Sequence, residues 1–530
     1  MSTPAPRVCS SCKALRRKDC DGRSPSCSNC IKRHRECVYL TESDKRRRKY
    51  HTDYIQYLEE KIETLEKFVR KHDPDLIQYT DMNLEETPFM KRLDEEAQLA
   101  TLLNEIDNLD LDNFSEPEED YEDFGSLIAV TGPHIYYIDP IFKAELANLF
   151  QNNCPEVAYI LKLSLPDVIS WDFSTDSNPS HQLLMCAMFG FACVYSKNPH
   201  SQKISKLFIN QAEQTAVYAS KFHLDQYVVQ GLLLLSCYEM GLGNDSMSYL
   251  HISMACALTQ HMGYHISYDE DSSAAKFAPK TTPYQSALLW SICTQDRIIT
   301  TKIGVPSCIH FKRIISPFYE VQSPPSSQDY LIDLCFCYIT RLWYILDRFT
   351  DQICSVQGDL GDTQERTKLL KTAEQALQDL KTSLPAPFKD PNYSQEFYII
   401  IFHLHFEGCS ILLERLFIEN PVSSSKCVGS ATEISRLVNV LLKTNNVEKT
   451  SYHFGYICFL AAMIHLVLYA EKAKPDHLSN FEICVQAMLI HGNRWKRSFR
   501  HINMLREFSD RHGISVPILE TCENDQFTAL

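Results

Sequence analysis

Little in this 530-residue chain is built for chemistry on a small substrate. It has no Ser-x-Gly elbow, no glycine-rich phosphate loop and no H-E-x-x-H helix, so the local signatures of acyl transfer, P-loop phosphoryl transfer and zincin proteolysis are all missing. Residues Met1 to Val8 contain no apolar run of the kind a secretory signal needs, which argues for a reducing compartment over a disulfide framework. Alternating polar and apolar stretches are scarce, and this excludes a β-rich architecture. The apolar run Phe454 to Ala470 has 17 residues, the lower edge of a membrane span, and it contains His465 and two tyrosines. A buried helix is expected there, and no membrane partner. Between Arg92 and Lys143 there is no Lys or Arg at all, which marks out an acidic segment.

What the chain does have is cysteine. Six of its 21 cysteines fall in the 29 residues Cys9 to Cys37, spaced C-x2-C-x7-C-x6-C-x2-C-x6-C, and they form two near copies of one half-motif. In CSSCKALRRKDC and CSNCIKRHREC the C-x2-C pair puts two thiolates on one turn, and the third cysteine returns at the far end of a short basic helix. Zinc takes thiolates in tetrahedral sets of four. Two zincs need eight ligand positions, which Cys9, Cys12, Cys20, Cys27, Cys30 and Cys37 supply only if two of them bridge both metals. The quasi-symmetry of the copies points to Cys9 and Cys27 as the bridges. The other 15 cysteines lie mostly among apolar residues, as buried free thiols would, and no chemistry is assigned to them.

These residues resemble the fungal zinc binuclear cluster transcription factors, whose two-zinc, six-cysteine module places a helix in the DNA major groove. The likeness rests on the cysteine spacing, the Lys/Arg-rich stretch after the second cysteine, and Pro25 in the loop between the copies. It departs from the family at one point, with seven residues between the second and third cysteines where six are usual. The family's base-reading lysine lies four residues after the second cysteine and three before the third. Counting forward gives Arg16 and counting back gives Arg17, and the choice stays open. Either can donate two hydrogen bonds to guanine N7 and O6, so the resemblance implies a CGG-like triplet, with Lys13 and Lys18 on the same helix at the DNA.

The net charge of −15 is wrong for a DNA binder until it is divided. Residues 1 to 50 hold 14 Lys/Arg against 5 Asp/Glu, a formal +9, which leaves −24 on the rest. Six thiolates with two zincs add about −2, so this end stays positive and attracts phosphate. Residues 1–8 read as a disordered arm, 9–37 as the zinc module, and 38–53 as a basic linker. The run Lys45, Arg46, Arg47, Arg48 and Lys49 in that linker reads as a nuclear import signal or a phosphate-contacting strap, against a merely solvated charge run.

From residue 54 the period changes. Ile55, Leu58, Ile62, Leu65 and Val69 occupy a, d, a, d, a of a heptad, and β-branched residues at a with leucine at d favour a parallel two-stranded coil. In a homodimer over 54–72, Lys61 at g faces Glu66 at the partner's following e position, an attractive pairing. Residues 73–127 read as an acidic linker. Thirteen acids between Asp94 and Asp123 interleave with apolar residues, leaving open an activating contact with transcription machinery, a spacer, or electrostatic cover for the basic module.

Residues 128–530 read as a large all-α regulatory body. Leu232 to Met240, a glycine turn, and Met247 to Tyr264 form helix, turn and helix, with Asp245 the expected cap of the second. Further helical runs are expected at 205–223, 283–303, 330–357, 363–383, 393–420, 428–446 and 454–472. The stretch 249–258, Gly263-Tyr264-His265, Leu289-Trp290-Ser291, Asp296-Arg297 and Gly304-Val305-Pro306 are similar to the regulatory domain of the same family. Val305 stands where that family often has arginine. His403, His405 and Glu407 spell H-x-H-x-E, and Cys335 and Cys337 are likewise two apart, but residues two apart do not share a helix face, so neither set is expected to bind metal.

The chain is thus expected to be a nuclear, zinc-dependent, sequence-specific regulator of RNA polymerase II genes, binding double-stranded DNA as a homodimer on paired half-sites. It is not expected to be an enzyme. The alternative is a ligand receptor or enzymatic helical body with the DNA module as an appendage; family members often respond to metabolites, so a small-molecule effector fits either reading. A RING-type module needs eight ligands, and His34 lies off that spacing. The coil makes a direct prediction. With Leu58 and Leu65 changed to polar residues, a fragment of residues 1–75 should sediment as a monomer and lose tight binding to paired sites, while its zinc module stays folded. A wild-type fragment that is monomeric on such DNA contradicts the heptad assignment.

Overall fold

A computed structural model of the chain describes residues 20–21, 26–33, 37, 127–131, 134–153, 165–173, 175–266, 282–354, 363–389, 396–472 and 474–520. The chain divides into two units, residues 1–122 and 123–530. In the first unit the described residues hold one short helix, α1 (Ser28–Ile31). The basic run 45–49, the heptad positions Ile55 to Val69 and the acidic segment up to residue 126 lie outside the described residues.

The second unit is a helical body, as its periodicity predicts, entered through one β-hairpin that the periodicity does not. β1 (Ile128–Thr131) and β2 (His134–Ile138) pair antiparallel, with Ile128 opposite Ile138 and Val130 opposite Ile135. The all-α reading of 128–530 therefore needs correction at its start. A two-stranded ribbon is marginal alone. Here the buried amide of Gln211 extends it: Ile135 N–H donates to Gln211 Oε1 at 2.8 Å, and Gln211 Nε2 donates back to the Ile135 carbonyl at 3.4 Å.

The helices follow in chain order as α2 (Pro140–Asn153), α3 (Leu165–Ser170), α4 (Pro179–Cys193), α5 (Ser201–Phe222), α6 (Gln226–Leu242), α7 (Asp245–His261) and α8 (Pro283–Ile303). Beyond them lie α9 (Tyr330–Cys354), α10 (Thr363–Ser383), α11 (Ala386–Lys389), α12 (Phe397–Glu414) and α13 (Pro421–Lys443). The series ends with α14 (Phe454–Lys472), α15 (Pro475–Gly492), α16 (Arg497–Arg511) and α17 (Pro517–Glu520). Helices adjacent in sequence pack on one another, notably α4 with α5, α6 with α7, α12 with α13 and α14 with α15. One contiguous apolar core runs from Ile128 to Leu519.

Local chemistry sets the boundaries. α8 opens with a capping box in which Thr282 and Gln285 exchange side-chain and backbone bonds around Pro283 at the first turn. It closes on Gly304 at φ 74°. α6 closes on Gly243 at φ 98°, a left-handed position that glycine adopts without strain. The next helix is then capped by Asn244, whose Oδ1 accepts from Met247 N–H at 3.3 Å, and not by Asp245 as the sequence suggests. Asp245 is the first helical residue and pairs instead with Arg497. α12 is the single helix, among the described residues, long and apolar enough by composition to cross a membrane, and most of it is buried inside the body.

Charge is buried in two ways in α8. Asp296 is fully buried, and its carboxylate accepts from the backbone N–H groups of Cys308 and Ile309, both at 3.0 Å. Arg297 beside it donates to the carbonyls of Cys293 (2.9 Å) and Ile309 (3.0 Å), and lies 3.1 Å from Asp347 in α9. One turn later Lys302 turns its ammonium nitrogen inward, to a buried place without a hydrogen-bond acceptor. It lies over the rings of Tyr452 (4.9 Å) and Tyr456 (5.5 Å), and burial holds its pKa well below the ordinary lysine value.

Histidines are buried uncharged. His491 receives the Ser498 hydroxyl at Nδ1 (2.7 Å) and donates from Nε2 to the Ser451 carbonyl (3.1 Å), so the neutral ring is fully used. Burial pushes its pKa down to about 3, and that of His405 to about 3. An unfolded histidine titrates near 6.5. Below that pH the unfolded chain takes up protons that the folded body refuses, so each such histidine lowers stability by up to about 1.4 kcal/mol per pH unit as the pH falls toward 3. Glu239, raised by burial to about 7, works the opposite way between pH 7 and the ordinary carboxylate range. The change in slope is therefore the clean readout. The His491→Gln chain should lose less stability between pH 7 and pH 5 than the wild type, measured as the urea midpoint at each pH; equal losses would show that His491 is not held neutral.

Candidate metal centre and regulatory cavity

The described part of the first unit is the second copy of the half-motif. Its buried residues are cysteines alone: Cys27 and Cys30 are 0% and 2% exposed, with Cys20 and Cys37 packed against them. The Cys27 sulfur caps α1 by accepting from Cys30 N–H at 3.4 Å, and the Cys37 sulfur accepts from Cys27 N–H at 3.2 Å. Asp21 holds the first turn from outside through Ser28, taking its N–H at 3.0 Å and its hydroxyl. The sulfur atoms of Cys27, Cys30 and Cys37 lie within 4.8 Å of one another.

That donor set fits zinc. Tetrahedral Zn–S bonds of about 2.3 Å put ligand sulfurs roughly 3.8 Å apart, so the triad needs only a small contraction around an ion. Backbone N–H groups aimed at two of the sulfurs favour their thiolate forms. The three cysteines brought together are the three of one copy, while Cys20, of the other copy, packs beside them. Lys32 and Arg33 are exposed at the end of α1. Cys9 and Cys12, with the basic positions Lys13, Arg16, Arg17 and Lys18, lie outside the described residues, as do Lys45 to Lys49.

In the second unit the two sets that sequence spacing makes tempting are drawn apart. His403 donates to the Phe388 carbonyl (3.0 Å), whereas His405 Nδ1 accepts from the Trp343 indole (3.1 Å). Cys335 and Cys337 donate to the carbonyls of Tyr398 and Tyr319, each at 3.3 Å. Val305 has its side chain at the surface.

The body holds a partly open cavity walled by Phe191, Tyr195, Ile298, Phe336, Ile339 and Tyr452. Ser291, Thr294, Gln295, His405 and His453 give it polar points. The Tyr452 hydroxyl donates to Gln295, and the Tyr452 ring also carries the Lys302 ammonium, so the wall of the cavity backs onto the buried lysine. His453 Nδ1 is buried without a hydrogen-bond partner, and burial holds this ring neutral too. No sequence pattern announces this cavity, because its lining comes from five separate helices, the turn after α4 and the turn before α14.

A second sulfur cluster also escapes sequence reading. The sulfurs of Cys256 in α7 and Cys308 after α8 lie, with a carboxylate oxygen of Asp296, within 4.8 Å of one another. The sequence signal for it is weak: Asp296-Arg297 and the Gly304-Val305-Pro306 turn mark the place, but nothing in the spacing pairs position 256 with 308.

Comparison with known proteins agrees with this arrangement. The family model described as the fungal Zn(2)-Cys(6) binuclear cluster domain matches residues 7–47, and the one described as the fungal specific transcription factor domain matches residues 146–382. Transcription factor ROB1 of Candida albicans is 49% identical over 51 residues, 10% of this chain and 5% of that protein. Two Schizosaccharomyces pombe proteins, each described as an uncharacterized transcriptional regulatory protein, are 19% and 22% identical over 280 and 322 residues, which cover 48% and 56% of this chain. The chain spans 34% and 49% of those two proteins. With the cysteine module, the helical body and both family models in the same order, the chain carries the two domains that mark the fungal zinc binuclear cluster transcription factors.

Proposed function

We propose that the chain is a nuclear regulator of RNA polymerase II genes that reads paired CGG-like half-sites as a zinc-dependent homodimer. The observation that carries this is the core of the described part of the first unit, where the buried residues are cysteines and the sulfurs of Cys27, Cys30 and Cys37 are gathered within 4.8 Å of one another beside the exposed Lys32 and Arg33. In this reading Cys9 and Cys27 bridge two zincs, and Cys12, Cys20, Cys30 and Cys37 complete the two tetrahedra. Bound zinc closes the module and does no chemistry. Arg16 or Arg17 reads the base, Lys13 and Lys18 support it, and Lys45 to Lys49 neutralise phosphates and direct import. The coil over Ile55 to Val69 sets half-site spacing. The acidic segment contacts transcription machinery, and the cavity of the body supports control by a small-molecule effector.

Metal removal tests the first part. Structural zinc contributes on the order of 10 to 16 kcal/mol in comparable peptides, and a module whose described core is cysteine has nothing to put in its place. Residues 1–50 should unfold in strong chelator, and elemental analysis should return two zincs per chain. One zinc, or a fold that resists chelation, would contradict the bridged cluster.

The two classes of basic residue should separate under one experiment. Alanine at the base-reading arginine, whichever of Arg16 and Arg17 it is, should remove roughly 1 to 3 kcal/mol of discrimination and flatten the preference among triplets. Loss of Lys45 to Lys49 should weaken every sequence alike and reduce the slope of log affinity against log salt by about 0.9 per contact. Titration against a CGG-containing and a scrambled duplex at two salt concentrations reads both effects. Full triplet discrimination in both arginine variants would mean that the extra residue before Cys20 has moved the reading helix.

A further inference from the structure

We infer that Cys256 and Cys308 form a peroxide-reactive thiol pair whose oxidised state is a disulfide joining α7 to the segment that follows α8. The inference stands apart from the DNA-binding reading and rests on geometry in the body. The two sulfurs lie within 4.8 Å, although the residues are 52 positions apart in sequence. Their surroundings make them unequal partners. Cys256 is fully buried, while Cys308 is half-buried and can be reached from solvent.

Two groups meet at the sulfur of Cys308. The Cys256 sulfur lies within 4.8 Å of it, and the Ser253 Oγ, whose own hydrogen goes to the Tyr249 carbonyl at 2.7 Å, lies 3.3 Å from it. The hydrogen bond from Cys256 draws the Cys308 pKa below the ordinary thiol value, against the opposing effects of burial and of Asp296. Burial pushes Cys256 well above that value, so it keeps its proton. The backbone of Cys308 cannot drift, because its N–H is held by Asp296 Oδ1 at 3.0 Å. A reactive, accessible thiolate with a protonated thiol directly behind it is the arrangement that a two-step oxidation requires. Formation of an S–S bond of about 2.05 Å closes a contact already within 4.8 Å.

The steps balance with hydrogen peroxide as oxidant. The Cys308 thiolate attacks one peroxide oxygen and breaks the O–O bond, giving a sulfenic acid on Cys308 and hydroxide, which the proton earlier shed by Cys308 converts to water. The Cys256 sulfur then attacks the sulfenic sulfur, and the sulfenic hydroxyl leaves with the Cys256 proton as a second water. Two thiols and one peroxide yield one disulfide and two waters. A dithiol reductant reverses the change.

The test uses the full-length, zinc-loaded chain, treated with hydrogen peroxide at about one equivalent per protein, alkylated, digested and mapped by mass spectrometry. The expected product is one linked peptide pair containing Cys256 and Cys308, lighter by two hydrogens than the reduced pair and lost on treatment with dithiothreitol, while the fully buried Cys186, Cys237 and Cys409 remain alkylatable after unfolding. In Cys256→Ser, Cys308 should be trapped as a sulfenic acid by a cyclic 1,3-diketone. In Cys308→Ser, Cys256 should stay a thiol. The inference is overturned if wild-type protein gives no such pair while other body thiols oxidise, or if Cys308 in Cys256→Ser is no more reactive than the buried thiols. It is equally overturned if the untreated protein carries a third zinc that both single variants lose, which would make Cys256, Cys308 and Asp296 a metal site.

Discussion

One buried carboxylate fixes the centre of the body. Asp296 has no contact with solvent, and both of its oxygens are spent on the backbone N–H groups of Cys308 and Ile309. Those groups lie in a segment with no regular structure to satisfy them, and a buried amide left unpaired costs roughly 1 to 3 kcal/mol. Arg297 completes the arrangement from the next position, taking the Ile309 carbonyl and leaning on Asp347 of α9. Burial pushes the Asp347 carboxyl upward against the pull of Arg297, so the pair is held at a cost. Its worth is in register more than in net stability, since buried ion pairs roughly break even against apolar replacements. From Gly304 onward the chain has one way to lie. That places Ile309 in the core and the Cys308 sulfur against Cys256.

Lys302 solves the same problem differently, five residues along the same helix. No salt-bridging carboxylate meets it; it lies on the faces of Tyr452 and Tyr456, and burial holds its pKa well below the ordinary lysine value. The consequence spreads. His405, His453, His491 and His501 surround this region, and each is held neutral by burial, with Lys302 and Arg497 adding to the effect at His453 and His501. The cavity beside Tyr452 therefore has polar walls without fixed charge. It offers hydrogen bonds to an occupant more readily than an ion pair.

The helices were legible where punctuation residues bracket them. Pro283 and Gly304 set α8 at 283–303 as the sequence suggests, and α10 and α14 match their expected spans of 363–383 and 454–472. In Gly243-Asn244-Asp245, both Asn and Asp are strong caps, so propensity alone cannot choose between them; the left-handed Gly243 brings Asn244 to the cap. The hairpin was missed because its strands are four and five residues long and depend on Gln211, 76 positions from Ile135. At the site, ligand spacing is a local property, so the cysteine module could be read from sequence. The cavity and the Cys256 and Cys308 pair are products of helix packing, and no local pattern encodes them.

The same element thus serves opposite ends in one chain, and environment sorts it. Among the described residues of the first unit, the sulfurs of Cys27, Cys30 and Cys37 are gathered together, two of them with backbone N–H groups aimed at them, the setting in which sulfur carries charge and binds metal. In the body, ten thiols are pushed upward by burial, Cys186, Cys237, Cys409 and Cys484 among them, and a thiol that cannot ionise competes neither for zinc nor for an oxidant. A chain with 15 cysteines beyond its metal module can therefore keep that module correctly loaded, because the body's core makes most of them inert. Cys308 is the exception that the Asp296 tether creates: held at the edge of the core with a donor on its sulfur, it keeps the reactivity that burial removes from the rest.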